Sequence, residues 1–229
     1  MTEDCIAPIL PEGTEQQGTD AWREDRAGCI TASRMRDLRW EPGEVYKSGD
    51  KKGQPKPVPQ MRLTYIDQIV AELLTGVPKE QVNAKTLDYG HEMEPEAIAM
   101  YEARTGHLVE QCGFLRHPEF NFVGASPDFL VDDDGGGEVK CPMSITVHAT
   151  TLREGLPEEH IEQIQGGLWV TGRLWWDFIS YNPLFPEGLR LYVQRVKRDN
   201  AAIARIKRDC LSAWDEVNAV CDQLMRRAA

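Results

Sequence analysis

The sequence predicts an α/β fold with a mixed central β-sheet flanked by α-helices. Helix-period apolar patterns fill the first hundred residues, and strand-like runs take over from 109 and return at 175 and 189, with one helix inserted among them. A long amphipathic helix closes the chain. At 229 residues, 41% hydrophobic and 28% charged, the chain fits one domain over 1–229 and is long enough to bury a core.

In chain order, residues 20–39 read as a helix, a tight connection through Gly28, and a second helix capped at Thr31 or Ser33. Residues 41–60 are rich in Pro, Gly and Lys, lack apolar periodicity, and read as a long exposed loop. Ile66, Ile69, Val70, Leu73 and Leu74 recur at helical spacing, which predicts a helix over 63–74 stopped by Gly76-Val77-Pro78. A further helix is expected over 86–104, ending at Gly106. Gly90-His91-Glu92-Met93-Glu94 is read as early in that helix, where the Glu94 carboxylate suits the positive end of the helix dipole.

Strand-like stretches at 109–115 and 122–124 lead into a hairpin. Phe129-Leu130-Val131 is its first strand, residues 132–137 its reversal, and Glu138-Val139-Lys140 its return. Residues 158–170 form a helix burying Ile161, Ile164, Leu168 and Trp169, followed by strands over 175–181 and 189–196. The aromatic residues over 169–178 read as core or interface rather than a base-stacking platform. An amphipathic helix is expected over 199–227.

Composition narrows the function classes. No apolar run approaches a membrane span, and the N-terminal residues lack the basic start and apolar stretch of a signal peptide, so a cytoplasmic location is expected. The six cysteines are scattered without CxxC pairs or histidine at zinc spacing, and are expected as reduced thiols. A net charge of −11 is unusual for a nucleic-acid partner. Its distribution is uneven, with acids crowding the first twenty-five residues and basic residues gathering over 34–39, 47–56 and 190–198.

The hairpin carries the chemistry. Antiparallel pairing brings Asp128 of Ser126-Pro127-Asp128 opposite Glu138-Val139-Lys140, and strand alternation puts Glu138 and Lys140 on one face. Two hard carboxylate ligands beside an ammonium suit metal-assisted phosphodiester cleavage. The same residues on a Gly-rich hairpin also read as a solvated surface. Glu94 is either a third carboxylate or a helix-start acid. Gln163 faces either the site or solvent, with Gln165 competing for the role. Arg26 and Ser33, flanking the Gly28 turn, form a phosphate pocket or ordinary surface.

Taken together, the motifs resemble a family. Asp20-Ala21-Trp22, Arg26-x-Gly28-x-Ile30-Thr31-Ala32-Ser33, Gly90-x-x-x-Glu94, Ser126-Pro127-Asp128, Glu138-Val139-Lys140-Cys141-Pro142, Gln163-Ile164-Gln165 and Trp169-Val170-Thr171 keep the order and similar gaps of the phage lambda exonuclease family. This is the alkaline-exonuclease, or YqaJ-type, branch of the PD-(D/E)xK nucleases, and the resemblance covers roughly residues 18–200. It implies a restriction-endonuclease-like core and a processive exonuclease that degrades one strand of duplex DNA from its 5′ end. Mononucleotides would be released and a 3′ single-stranded tail left for recombination.

The resemblance also implies a ring-shaped homotrimer, a single-strand annealing partner, and two Mg²⁺ ions for which Mn²⁺ can substitute. Asp128, Glu138 and the Val139 carbonyl would hold metal, Lys140 would position the water, and Glu94 and Gln163 would complete the site. Arg26 and Ser33 would take the 5′ phosphate, and Met61 and Leu87 would pry apart the terminal base pair. The 41–60 loop departs from the family pattern, as does His160, which stands where an aromatic residue is expected. A site-specific endonuclease of the same superfamily and a non-catalytic DNA clamp or recombination adaptor are the rival readings.

Overall fold

Thr19 caps the first helix, its hydroxyl accepting from the Trp22 N–H at 3.2 Å, and α1 runs over Asp20–Arg26. The structure is a computed structural model, and it describes residues 17–79 and 85–228. After α1 the chain turns at Gly28, whose φ of 73° is left-handed and whose absent Cβ leaves room for the Leu73 side chain. The expected second α-helix is instead strand β1 (Ile30–Thr31) and a seven-residue 3-10 helix over Ala32–Leu38. Its start is drawn into a sheet, because Ile30 and Thr31 pair with Val123 and Gly124. Thr31 sits at the N-cap position without a side-chain capping bond, and its N–H donates to the Tyr65 hydroxyl at 2.9 Å.

Residues 41–59 carry turns and one isolated bridge, Val45 to Pro55, closed by a Lys56–Glu44 ion pair at 2.6 Å. Helix α2 (Gln60–Thr75) buries Tyr65, Ile66, Ile69 and Val70 and ends on left-handed Gly76. Leu73 and Leu74, expected on its buried face, are exposed in its last turn. Helix α3 (Lys85–Thr105) starts early enough that Glu94 lies mid-helix, just before Pro95. The expectation of a helix-start acid therefore fails, and the dipole does not explain this residue.

Then follow β2 (Val109–Glu110), β3 (Leu115–Arg116), β4 (Val123–Ala125), β5 (Phe129–Val131) and β6 (Gly135–Lys140). Two helices, α4 (Ile145–Glu154) and α5 (Ile161–Thr171), separate β6 from β7 (Trp175–Tyr181), where one was expected. Strand β8 (Leu191–Lys197) and helix α6 (Asn200–Ala228) complete the fold. The main sheet has the order β2-β5-β6-β7-β8, parallel only between β6 and β7, and a smaller sheet has the order β1-β4-β3.

The β5–β6 reversal is shorter than the sequence suggests. Asp132, Asp133 and Asp134 make the turn, and Gly135, Gly136 and Gly137 belong to the strand. A Cβ would lie 2.0 Å from the Trp175 ring at Gly135, 2.5 Å from Trp176 at Gly136, and 1.9 Å from Phe129 at Gly137. These glycines make a trough for three aromatic rings, which fixes β6 in the sheet's centre.

Alternation along β7 divides the core. Trp176 and Phe178 face the layer of α2, α5, α6 and the 3-10 helix, while Ile179 and Tyr181 face α3. The expected burial of Trp169 and Trp176 is met. Cys29, Cys112, Cys141, Cys210 and Cys221 are free thiols, and Cys5 lies outside the described residues. Among the described residues no helix is long and apolar enough to cross a membrane.

Candidate active site

Pairing between β5 and β6 stops at Phe129–Gly137, and Asp128 lies just past it. Its N–H donates to the Gly137 carbonyl at 3.2 Å, and its Oδ2 accepts from the Val139 N–H at 2.6 Å. In an extended strand the N–H and C=O of one residue point the same way, so the Val139 carbonyl faces the same edge as Asp128. Glu138, only 5% exposed, sits on the face of β6 toward α5. Its Oε1 accepts from Lys140 Nζ at 2.5 Å and from Gln163 Nε2.

The choice between the two glutamines of α5 is thereby resolved in position. Gln163 reaches Glu138, whereas buried Gln165 donates to the Lys197 carbonyl at 2.9 Å and accepts from the Asp199 N–H at 2.8 Å. Gln165 ties α5 to the start of α6.

Electrostatics single out this cluster. Burial, and then repulsion from Glu138 and Glu94, push the Asp128 carboxyl well above the usual carboxylate range. Burial and the Glu138 charge push Glu94 up as well. For Lys140 burial works downward, but attraction to Glu138, Asp128 and Glu94 outweighs it, so the ammonium is held above its ordinary value and stays charged at neutral pH. Three carboxyl groups thus share one ammonium. Hard oxygen donors crowded around too little positive charge fit a hard dication such as Mg²⁺. Among the described residues no group of three or more His, Cys, Asp or Glu side chains is placed to hold a metal ion by itself. The oxygen donors the hairpin itself offers are the Asp128 and Glu138 carboxylates and the Val139 carbonyl.

Asp128, Lys140 and Glu94 line a cleft of about 330 Å³, with Glu159 and His160 on its wall. Glu94 reaches it from the middle of α3. Arg26 and Ser33 stand on either side of the Gly28 turn. Arg26 is half-buried with its guanidinium 4.3 Å from the centre of the Trp22 ring, and exposed Ser33 has its hydroxyl 3.3 Å from that of Thr31. Trp22 joins this turn to the hairpin, because its Nε1 donates to Ser126 Oγ at 3.0 Å. Met61 is exposed in the first turn of α2 and does not line the cleft. Leu87 falls in the first turn of α3, and its side chain lies outside the described residues.

Residues not singled out as site residues also support the cleft. Gln17 Nε2 donates to the Pro127 carbonyl at 2.8 Å, steadying the segment that carries Asp128. Buried His148 joins Ser180, on the cleft wall, to the Leu189 carbonyl. These contacts link residues far apart in sequence, and only the Trp22 motif left a signal.

Residues 21–174 match the family model described as the YqaJ-like viral recombinase domain. The chain belongs to this family. A crystal structure of an alkaline exonuclease (LHK-Exo) from Laribacter hongkongensis superposes with a TM-score of 0.79 at 33% identity, over 92% of this chain and 98% of that one. The structure of LHK-Exo in complex with dAMP matches equally. A phage-related exonuclease from Haemophilus somnus 129PT shares the fold at a TM-score of 0.62 and 18% identity, over 88% and 96% of the two chains. The uncharacterized protein YqaJ of Bacillus subtilis (strain 168) is 26% identical over 145 residues, 61% of this chain and 44% of that one. The match therefore spans less than half the length of that relative. The mixed sheet flanked by helices is the restriction-endonuclease-like fold of the alkaline exonucleases.

Proposed function

We propose that this YqaJ-family chain is a Mg²⁺-dependent, processive exonuclease that degrades one strand of double-stranded DNA in the 5′-to-3′ direction. It releases mononucleotides and leaves 3′ single-stranded tails for recombination by strand annealing. The observation that carries the reading is the Lys140–Glu138–Gln163 contact facing Asp128. Its setting, a chain 33% identical to an alkaline exonuclease over 92% of its length, supports the same chemistry.

Asp128, Glu138 and the Val139 carbonyl would hold Mg²⁺, as a pair of ions and with Mn²⁺ able to substitute, and the bound metal would supply charge neutralisation at the phosphate and a more acidic water. Lys140, fixed by Glu138 and kept charged, orients the attacking water and offsets negative charge on the phosphate. It is a poor general base in that state. Gln163 holds Glu138 in place through its amide, and the Val139 N–H does the same for Asp128. Glu94 completes the acidic wall.

Arg26 would take the 5′ phosphate with its guanidinium, which makes no hydrogen bond to another described residue, and Ser33 would add a hydroxyl. Met61 and Leu87 would wedge the terminal base pair. A homotrimeric ring around the duplex would hold an acidic protein on DNA without tight binding, and a single-strand annealing protein is the expected partner in the host cytoplasm.

Digestion of matched linear and closed-circular duplexes tests the reading, with 5′-phosphate and 5′-hydroxyl ends compared. Linear DNA should be degraded from phosphorylated 5′ ends while circles survive. Cleavage of closed circles would instead establish an endonuclease.

A further inference from the structure

Among the described residues the two buried histidines, His148 and His117, have structural partners for their rings, whereas His160 is half-buried. His148 Nε2 lies 2.9 Å from the Leu189 carbonyl and Nδ1 lies 2.8 Å from Ser180 Oγ. His117 Nδ1 accepts from the Glu119 and Phe120 N–H groups at 3.1 and 3.3 Å. His160 is different. It immediately precedes α5, three residues before Gln163, and lines the cleft with Glu94, Asp128 and Lys140. Its ring stacks on Phe178 with centroids 5.4 Å apart and planes 23° apart.

Neither ring nitrogen of His160 hydrogen-bonds to another described residue, and neither is sealed from solvent. The Glu159 carboxylate stands 3.8 Å from Nε2, beyond hydrogen-bond range. A polar ring that lines the cleft, braced on one side by an aromatic core residue, has hydrogen-bonding capacity the described residues do not use.

We propose that His160 donates a hydrogen bond to a phosphate oxygen of the strand being cut, making it a further substrate-contacting residue. The inference rests on the nuclease reading of this cleft. Burial, and then the charge of Lys140, hold the ring below the usual histidine value. At neutral pH it therefore presents one N–H donor without placing a second cation against Lys140. A neutral donor suits a phosphate oxygen whose charge Lys140, and a metal when bound, would offset.

His160→Phe keeps a flat ring on Phe178 and removes the donor, whereas His160→Gln keeps an N–H donor. On 5′-phosphorylated linear duplex, kcat/KM of His160→Phe should fall about 10- to 100-fold, and His160→Gln should recover part of the loss. Fluorescence anisotropy in Ca²⁺ should show weaker binding of a short phosphorylated duplex by His160→Phe. In the wild-type protein, adding a non-hydrolysable phosphorothioate duplex should shift the ¹⁵N imidazole resonances of His160.

A His160→Phe protein that melts, binds and cleaves like wild type would overturn the proposal, as would unshifted His160 resonances if that variant fails to fold. Active wild type with an unaffected variant removes this inference alone. Wild type that neither binds nor cuts duplex removes the nuclease reading with it.

Discussion

At Asp128, Glu138 and Lys140 each ionisable group is fixed by a strand or by a neighbour's hydrogen bond, whereas Arg26 donates to no other described residue and is held by the face of Trp22. The first region is locked before any ligand arrives. The second keeps its donors free. The difference follows from the two tasks, because groups that meet reacting atoms gain from fixed geometry, while a group that must bond a chain end needs unspent donors. Trp22 spans both regions, its ring beneath Arg26 and its Nε1 on Ser126, two residues before Asp128.

If the locked region does the chemistry, Asp128→Asn should lower single-turnover cleavage by about 10³-fold or more. The variant should melt no lower than wild type, since asparagine still accepts from the Val139 N–H and relieves a crowd of three carboxyl groups. Near-normal turnover would show that the hairpin is not the cutting site. Next in size, Gly137→Ala forces a methyl into the Phe129 ring and should cost about 3 kcal/mol in denaturant unfolding. An unchanged midpoint would mean that β6 does not depend on its aromatic trough.

Gln163→Ala releases Glu138 from one of its two clamps and should lower kcat about 10- to 100-fold with little change in KM. A change confined to KM would place Gln163 in binding rather than in support of Glu138. The smallest effect belongs to the free region. Arg26→Ala should reduce cleavage about 10-fold on 5′-phosphorylated ends and leave 5′-hydroxyl ends unaffected. Equal losses on both ends would erase the distinction between the two regions.

Much of this arrangement was legible because it is local. Asp128 and Glu138–Lys140 lie on one hairpin, and alternation alone puts Glu138 and Lys140 on one face. What failed depended on partners distant in sequence. Helix α4 was missed because Ile145 and Val147 are exposed and threonines interrupt its apolar period, leaving Ser144, which caps it through the Val147 N–H, as the main signal. The three glycines of 135–137 read as a turn because the rings that require them lie on β5 and β7. Glu94 reads as a helix-start acid only if the helix opens near Gly90, and α3 instead runs unbroken from Lys85. Gln163 and Gln165 were equivalent on paper, and only Glu138 and Lys197 tell them apart.

The most direct test of the central claim is release of deoxynucleoside 5′-monophosphates from a linear duplex carrying one 5′ phosphate, with wild type and Asp128→Asn compared in Mg²⁺ and in EDTA. Wild type in Mg²⁺ should shed nucleotides from the phosphorylated strand and leave the other intact, while EDTA or the variant should abolish release. Release from 3′ ends, or wild-type rates from Asp128→Asn, would contradict the account.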